Sequence, residues 1–177
     1  LLVLSLFMIM SGLCFKIAAV PFHMWAPDAY EGAPTAITAF MSVGVKAAAF
    51  SVFFRVFLVG FGDFHHIYMP ALALICIVTM TWGNVAAMTQ KNVKRLLAYS
   101  SISHAGYVLM GLVAGTESGV TAAAIYLLAY TFFNLGVWAV LISLRRQDVV
   151  GESVEDFNGL FFRHPSLAVL TLVFLLS

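Results

Sequence analysis

Long apolar runs joined by short polar links fill this sequence, and no other feature restricts its fold as strongly. A helix needs about 20 apolar residues to cross the hydrocarbon layer of a bilayer. Candidate segments run from the start to Met24, Ala36 to Leu58, Tyr68 to Met88, Leu96 to Gly115, Val120 to Leu144, and Ser166 to Ser177. The first is broken near Pro21, and the last is only the start of a helix. Barrel strands would alternate polar and apolar residues over about ten positions, and these runs do not. The expected fold is all-α, a polytopic transmembrane helix bundle, with residues 1–177 forming a single transmembrane domain. The chain opens on Leu1 rather than methionine and ends inside an apolar run, so it reads as a fragment of a longer bundle. No basic leader precedes the first run and no small-residue cleavage site follows it, so a signal peptide is not expected.

Composition narrows the function classes. Of 177 residues, 62% are hydrophobic and 10% charged, whereas a soluble domain carries about a quarter charged residues. So few charges exclude a soluble enzyme and a disordered tail. The nine Lys and Arg are scattered and the net charge is +1, which leaves no basic footprint for nucleic acid. Cys14 and Cys76 both lie in apolar runs and read as small buried hydrophobes. The chain has no phosphate-binding G-x-x-x-x-G-K-[ST], no dinucleotide G-x-G-x-x-G and no H-E-x-x-H zinc pair. Any energy that drives transport must therefore come from elsewhere.

The charges also orient the bundle. WAPDAYEGAPT holds Asp28 and Glu31, TQKNVKR holds Lys91, Lys94 and Arg95, and the link from Arg145 to His164 holds Arg145, Arg146 and Arg163. These links follow the first, third and fifth helices and so share one side. The other side has only Arg55, beside GFGDFHH and GTESG. The positive-inside rule places the basic side in the cytoplasm.

Two lysines fall away from helix ends. Lys46 lies near the middle of the second segment, in MSVGVKAAAF, and Lys16 lies five residues before Pro21. A lysine at the bilayer centre costs about 3 kcal/mol or more, so each needs a protein-facing or water-facing environment. An amine balanced between lost hydration and a nearby carboxylate can gain and lose a proton near neutral pH, which a proton relay requires. Alternatively, Lys16 snorkels to an interface and Lys46 forms a structural ion pair. Gly44, Ala47, Ala48 and Ala49 would let another helix approach closely. Pro21 lacks an N–H and its ring crowds the carbonyl of Ile17, and broken helices recur at ion sites in transporters.

Histidine exchanges protons near pH 7. His104 shares a helical face with Ser100, and His23 falls seven residues after Lys16 on roughly the same face. Both are candidates for a proton path, with structural packing as the alternative. Tyr126, Tyr130, Asn134 and Trp138 recur every four residues, a stripe that reads first as helix–helix packing and second as a channel wall. His65 and His66 fall in an exposed link and receive no role. Gly111, Gly115 and Gly119 have small-xxx-small spacing that runs out of the membrane, a weak packing signal.

FKIAAVPFHMWAPDAYEGAPTAITAFMSVGVKAAAF and NVKRLLAYSSISHAGYVLMG resemble the antiporter-like membrane subunits of respiratory complex I. Within that family the wording is most similar to the subunit N branch of bacterial NADH–quinone oxidoreductase (mitochondrial subunit 2). Sister subunits and Mrp-type antiporters share the P-x-x-x-W-x-x-D-A frame. The resemblance covers the chain and implies a fourteen-helix fold, of which this segment would hold the seventh to eleventh helices and the start of the twelfth. It implies a proton-translocating subunit of a redox-driven enzyme complex in the cell inner (plasma) membrane. Lys16 would match the lysine of the broken seventh helix, Lys46 that of the eighth, and His104 the histidine of the SSISH segment. From the residues alone, and not from the resemblance, His23, Tyr130 and Asn134 are further candidates for the same polar axis. The family's fifth-helix carboxylate would precede Leu1, and its twelfth-helix lysine would follow Ser177.

By the same resemblance no cofactor sits on this chain. NADH, FMN, iron–sulfur clusters and quinone are expected on other subunits. The expected partners are neighbouring antiporter-like and small membrane subunits and the lipid bilayer, with no nucleic acid. A cation/proton antiporter subunit and a structural spacer without transport of its own are the competing readings.

Overall fold

The computed structural model describes residues 1–145 and 152–176. Arg146 and Ser177 lie outside them. The described residues form an all-α bundle: α1 (Leu2–Ile17), α2 (Trp25–Gly32), α3 (Thr35–Phe40), α4 (Lys46–Phe54), α5 (His65–Met88), α6 (Val93–Ala114), α7 (Glu117–Arg145), α8 (Leu160–Arg163) and α9 (Pro165–Leu176). A π-helical turn, Met41–Val45, joins α3 to α4, and a second, Arg55–Gly60, continues α4. Thr35–Gly60 is thus one helical span. With Gly62–Met88, Val93–Ala114 and Glu117–Arg145 it is long and apolar enough to cross a membrane, while Leu2–Ile17 and Pro165–Leu176 are shorter apolar helices.

The first segment departs from expectation in two ways. Its break is not made by the proline ring. The helix has already ended at Ala18, which adopts the left-handed conformation at φ 60°. The Ala19 amide donates to the Cys14 carbonyl and the Ala18 amide to the Phe15 carbonyl, a Schellman closure that satisfies the last carbonyls of α1. The indole of Trp25 adds a bond to the Phe15 carbonyl at 2.9 Å. Secondly, the link WAPDAYEGAPT is itself largely helical, at Trp25–Gly32. Proline near the start of a helix costs no hydrogen bond, and Lys94, buried against the end of α2, donates to the carbonyls of Glu31 and Ala33 at 3.2 and 3.0 Å.

At the third segment helix begins at His65 rather than Tyr68, so His65 is half-buried on a helix and packs edge-on against Tyr68. The link after the fifth helix is also partly structured. A 3-10 turn at Val154–Phe157 carries a capping box made by Ser153 and Asp156.

α6 is the central element, with buried residues on several faces along its length. α5 and α6 approach most closely at glycine. A Cβ at Gly83 would lie 2.7 Å from the Ser103 amide nitrogen, so only glycine fits that crossing. α6 and α7 meet as tightly near their turn, where a Cβ at Gly111 would lie 2.5 Å from the Gly119 carbonyl oxygen. The small-residue spacing read as weak in the sequence is therefore a packing contact, made by Gly111 and Gly119. One core joins α1, α4, α5 and α6 through Leu6, Cys14, Phe50, Phe53, Leu72 and Leu109, and a second joins α2, α6 and α7 through Tyr30, Ala98, Trp138 and Leu141. Leu74, Ile77, Ile125, Leu128 and Phe132 stay exposed on outer faces, as lipid contact requires.

The links after the first, third and fifth segments gather at one end. Arg95 pairs with Asp28 at 2.6 Å and Glu31 at 2.8 Å. The Val93 amide donates to the Glu152 carbonyl, and the Val154 amide to the Lys91 carbonyl. Arg145 pairs with Glu152 and also donates to the Thr35 hydroxyl at 3.3 Å.

Candidate functional site

Lys46 follows directly on the π turn Met41–Val45, and such turns are frequent at functional sites because they re-aim the residues around them. Ser42, on that turn, is fully buried and donates to the Ala39 carbonyl at 2.8 Å. Lys46 is 3% exposed, too buried to snorkel. Its ammonium donates to the Ser101 carbonyl at 2.6 Å and to the Ser101 hydroxyl. Among the described residues no carboxylate pairs with it, so the structural ion pair considered from the sequence is not made there. Ser101 is the residue that sequence reasoning missed. Its signal was present, since a mid-membrane lysine needs an oxygen-rich partner and SSISH offers serines two to three turns into a neighbouring helix.

From Ser101 a polar row continues across α6 to α7. The buried Tyr130 hydroxyl makes no hydrogen bond. The ring of Tyr130 lies 4.9 Å from that of His104. His104 Nδ1 is 2.6 Å from the Tyr126 hydroxyl. Asn134 donates to the Ser42 hydroxyl at 2.7 Å, which ties α7 back to the π turn. Ser100, His104, Tyr126, Tyr130 and Asn134 line one pocket of about 110 Å³. The stripe on α7 is therefore divided. Tyr126, Tyr130 and Asn134 line the pocket, whereas Trp138 is packed in the core beside Tyr30.

Lys16 and His23 stand apart from this row. Lys16 is exposed and lines a groove with Leu13, Phe40, Gly44, Ala48 and Val52. Lys46 points away from that groove into α6. Among the described residues Lys16 makes no hydrogen bond or ion pair. The shared face of Lys16 and His23 does not exist, because the helix stops between them at Ala18. His23 is buried instead, its ring edge-on to Trp82 at 6.4 Å and its Nδ1 without a hydrogen bond.

The arrangement gathers proton-exchanging groups: Ser100, His104, Tyr126 and Tyr130 line a pocket large enough for water, and the Lys46 amine is bound by Ser101 on the helix that carries His104. A cavity needs only about 10–15 Å³ of probe-filled space per water.

Comparison with known proteins agrees with the fold and the motifs. The family described as NADH:quinone oxidoreductase/Mrp antiporter, transmembrane, matches residues 1–177. NADH-quinone oxidoreductase subunit N 1 of Koribacter versatilis is 57% identical over 98% of this chain and 35% of its own length. Subunit N 2 of Solibacter usitatus is 54% identical over 94% of this chain and 34% of its own. The chain thus spans about a third of the length of these curated relatives. Among solved structures, a chain of respiratory complex I from Thermus thermophilus aligns with a TM-score of 0.74 and 37% identity, covering 93% of this chain and 35% of that one. A chain of the Mrp complex from Dietzia aligns at 0.70 and 26%, covering 75% of this chain and 24% of that one. A match along the whole chain, joined to this helical architecture, makes the chain a member of the NADH:quinone oxidoreductase/Mrp antiporter transmembrane family.

Proposed function

We propose that this chain is a segment of a proton-translocating membrane subunit of a redox-driven NADH–quinone oxidoreductase. The observation that carries the proposal is the buried Lys46 ammonium, held by Ser101 at the head of a polar row that ends at His104 and Tyr126. A lysine at that depth is costly, and a spacer would gain nothing from it. Lys46 gains and loses a proton, Ser101 and the pocket water bridge it to Tyr130 and His104, and His104 passes the proton on. Lys16 serves the same path from the groove beside α4. Asn134 contributes a polar group to the pocket wall, and His23, buried beside Trp82, is a further polar position of the same subunit.

The names of the curated relatives favour a quinone-reducing complex. NADH, FMN, iron–sulfur clusters and quinone then belong to other subunits, and neighbouring antiporter-like and small membrane subunits are the partners. The complex sits in the cell inner (plasma) membrane, with the Asp28, Lys91–Arg95 and Glu152 end in the cytoplasm by the positive-inside rule. The likeness to the Mrp chain supports a second reading, a cation/proton antiporter subunit. The two differ in whether proton movement requires electron transfer. Replacing Lys46 with methionine in the assembled complex tests the shared mechanism: pumping lost with assembly intact supports it, and pumping retained overturns it.

A further inference from the structure

Lys46 owes its aim to the turn before it. Met41–Val45 is wound as a π turn, which holds one residue more than the α register and is rare in helices. Returning it to α register would shift every residue after the turn by one position relative to those before it. One position is about 100° around a helix of 3.6 residues per turn. Lys46, the first residue of α4, would then swing off α6 and lose the Ser101 carbonyl and hydroxyl that its ammonium reaches. The wider winding therefore has to be held. Ser42 is the one polar side chain in MSVGV. Its buried hydroxyl donates to the Ala39 carbonyl at 2.8 Å and accepts from the Asn134 amide of α7 at 2.7 Å. A single buried polar contact is enough to specify register between helices.

We propose that Asn134 is a positioning residue for Lys46: its bond to Ser42 holds the π turn, and the turn keeps the Lys46 ammonium on Ser101. Among the described residues the one side-chain hydrogen bond of Asn134 is to Ser42, so it acts on the amine through the turn rather than by binding it. An amide suits this role. It carries two N–H donors and no titratable proton, so it holds the turn whether Lys46 is charged or neutral. Trp138, one turn further along α7, marks the contrast. It packs in the core, its indole nitrogen makes no hydrogen bond, and it does not touch the turn through any polar group.

This inference rests on the proton-translocating reading, and the experiment separates the two. Vesicles containing the assembled complex carry Asn134→Leu, Ser42→Ala, Ser101→Ala, Asn134→Leu with Ser101→Ala, Trp138→Phe or Lys46→Met. Pumping is measured across a range of pH and divided by complex abundance. Leucine keeps the volume of Asn134 and removes its donor, while Ser42→Ala breaks the same bond from the other side by the loss of one oxygen and is read if Asn134→Leu fails to assemble. The inference expects Asn134→Leu and Ser42→Ala each to slow pumping per complex by about fivefold. Both should displace its pH profile in the same sense as Ser101→Ala, and the double variant should be no slower than the slower single. Trp138→Phe should keep the unmutated profile and rate per complex. If Lys46→Met abolishes pumping while Asn134→Leu and Ser42→Ala lower only abundance, Asn134 is structural, the inference is wrong and the wider reading survives. The same displaced profile in Trp138→Phe also overturns it, because any loosening of α7 would then suffice. If Lys46→Met itself pumps normally, both fall together.

Discussion

Lys46 and Ser101 are 55 positions apart, yet the lysine ammonium donates to both the carbonyl and the hydroxyl of that serine in the buried centre of the bundle. The bond links the helix that carries the π turn to the central helix α6, and it supplies oxygen ligands to an amine that lipid could not hold. Ser101→Ala removes one acceptor and leaves the amine on a single carbonyl. A lost hydrogen bond to a charged group costs about 1.5–3 kcal/mol, so the variant complex should unfold at lower temperature in detergent and pump more slowly. Thr at this position keeps the hydroxyl and should restore both.

Gly83 sits where α5 touches the backbone of α6 at Ser103. The Cβ of Gly83→Ala would meet main-chain atoms that cannot rotate away, so the helices must separate. Overpacking of this kind costs about 1–3 kcal/mol. Reduced abundance of the assembled complex, with the surviving fraction pumping normally per molecule, is the expected outcome. Gly12, whose added Cβ meets nothing within 4 Å, provides a control in which alanine is tolerated.

Asn134 and Ser42 form a buried bond at 2.7 Å between α7 and the π turn before Lys46. Polar contacts between membrane helices are worth about 0.6 kcal/mol on average. A double-mutant cycle with Asn134→Leu and Ser42→Ala should therefore give a coupling of about that size, read by unfolding in detergent. Additive effects would show that the bond does not hold the turn in place.

Arg95 binds Asp28 and Glu31 at the surface, with 31% of its own side chain exposed and 75% of that of Asp28. Exposed pairs contribute about 0–1 kcal/mol and are screened by salt. Arg95→Gln should leave overall stability nearly unchanged but loosen α2, seen as faster proteolysis near Trp25–Gly32 at low salt. The difference should vanish at high salt, where the native pair is screened as well.

Much of the fold follows from hydropathy read along the chain. Lengths of apolar sequence place the spans within a few residues, and the depth of Lys46 within its segment marks it as a residue needing protein around it. What periodicity could not supply is the identity of the neighbour. Nothing local says that Lys46 faces Ser101 rather than Ser100 or Ser103, because that depends on how the π turn rotates α4 relative to α6. The end of α1 was misplaced for a related reason. Proline is a visible helix breaker, but Ala18 in a left-handed conformation is stabilised by bonds to Cys14 and Phe15 that only the folded turn contains. α2 escaped notice because its charges and prolines look like a link until Lys94 and Arg95 are seen capping and pairing with it. His23 and Lys16 seemed to share a face only while the helix was assumed to continue between them.

The most direct measurement is coupled proton pumping by vesicles holding the assembled complex with Lys46→Met, with NADH–quinone electron transfer and complex abundance scored in the same sample. Methionine keeps the length of the side chain and removes its proton chemistry. The account predicts that the complex assembles and that pumping or coupled turnover collapses. Assembly with pumping and turnover at the unmutated level would contradict it, and would leave Lys46 as a structural residue.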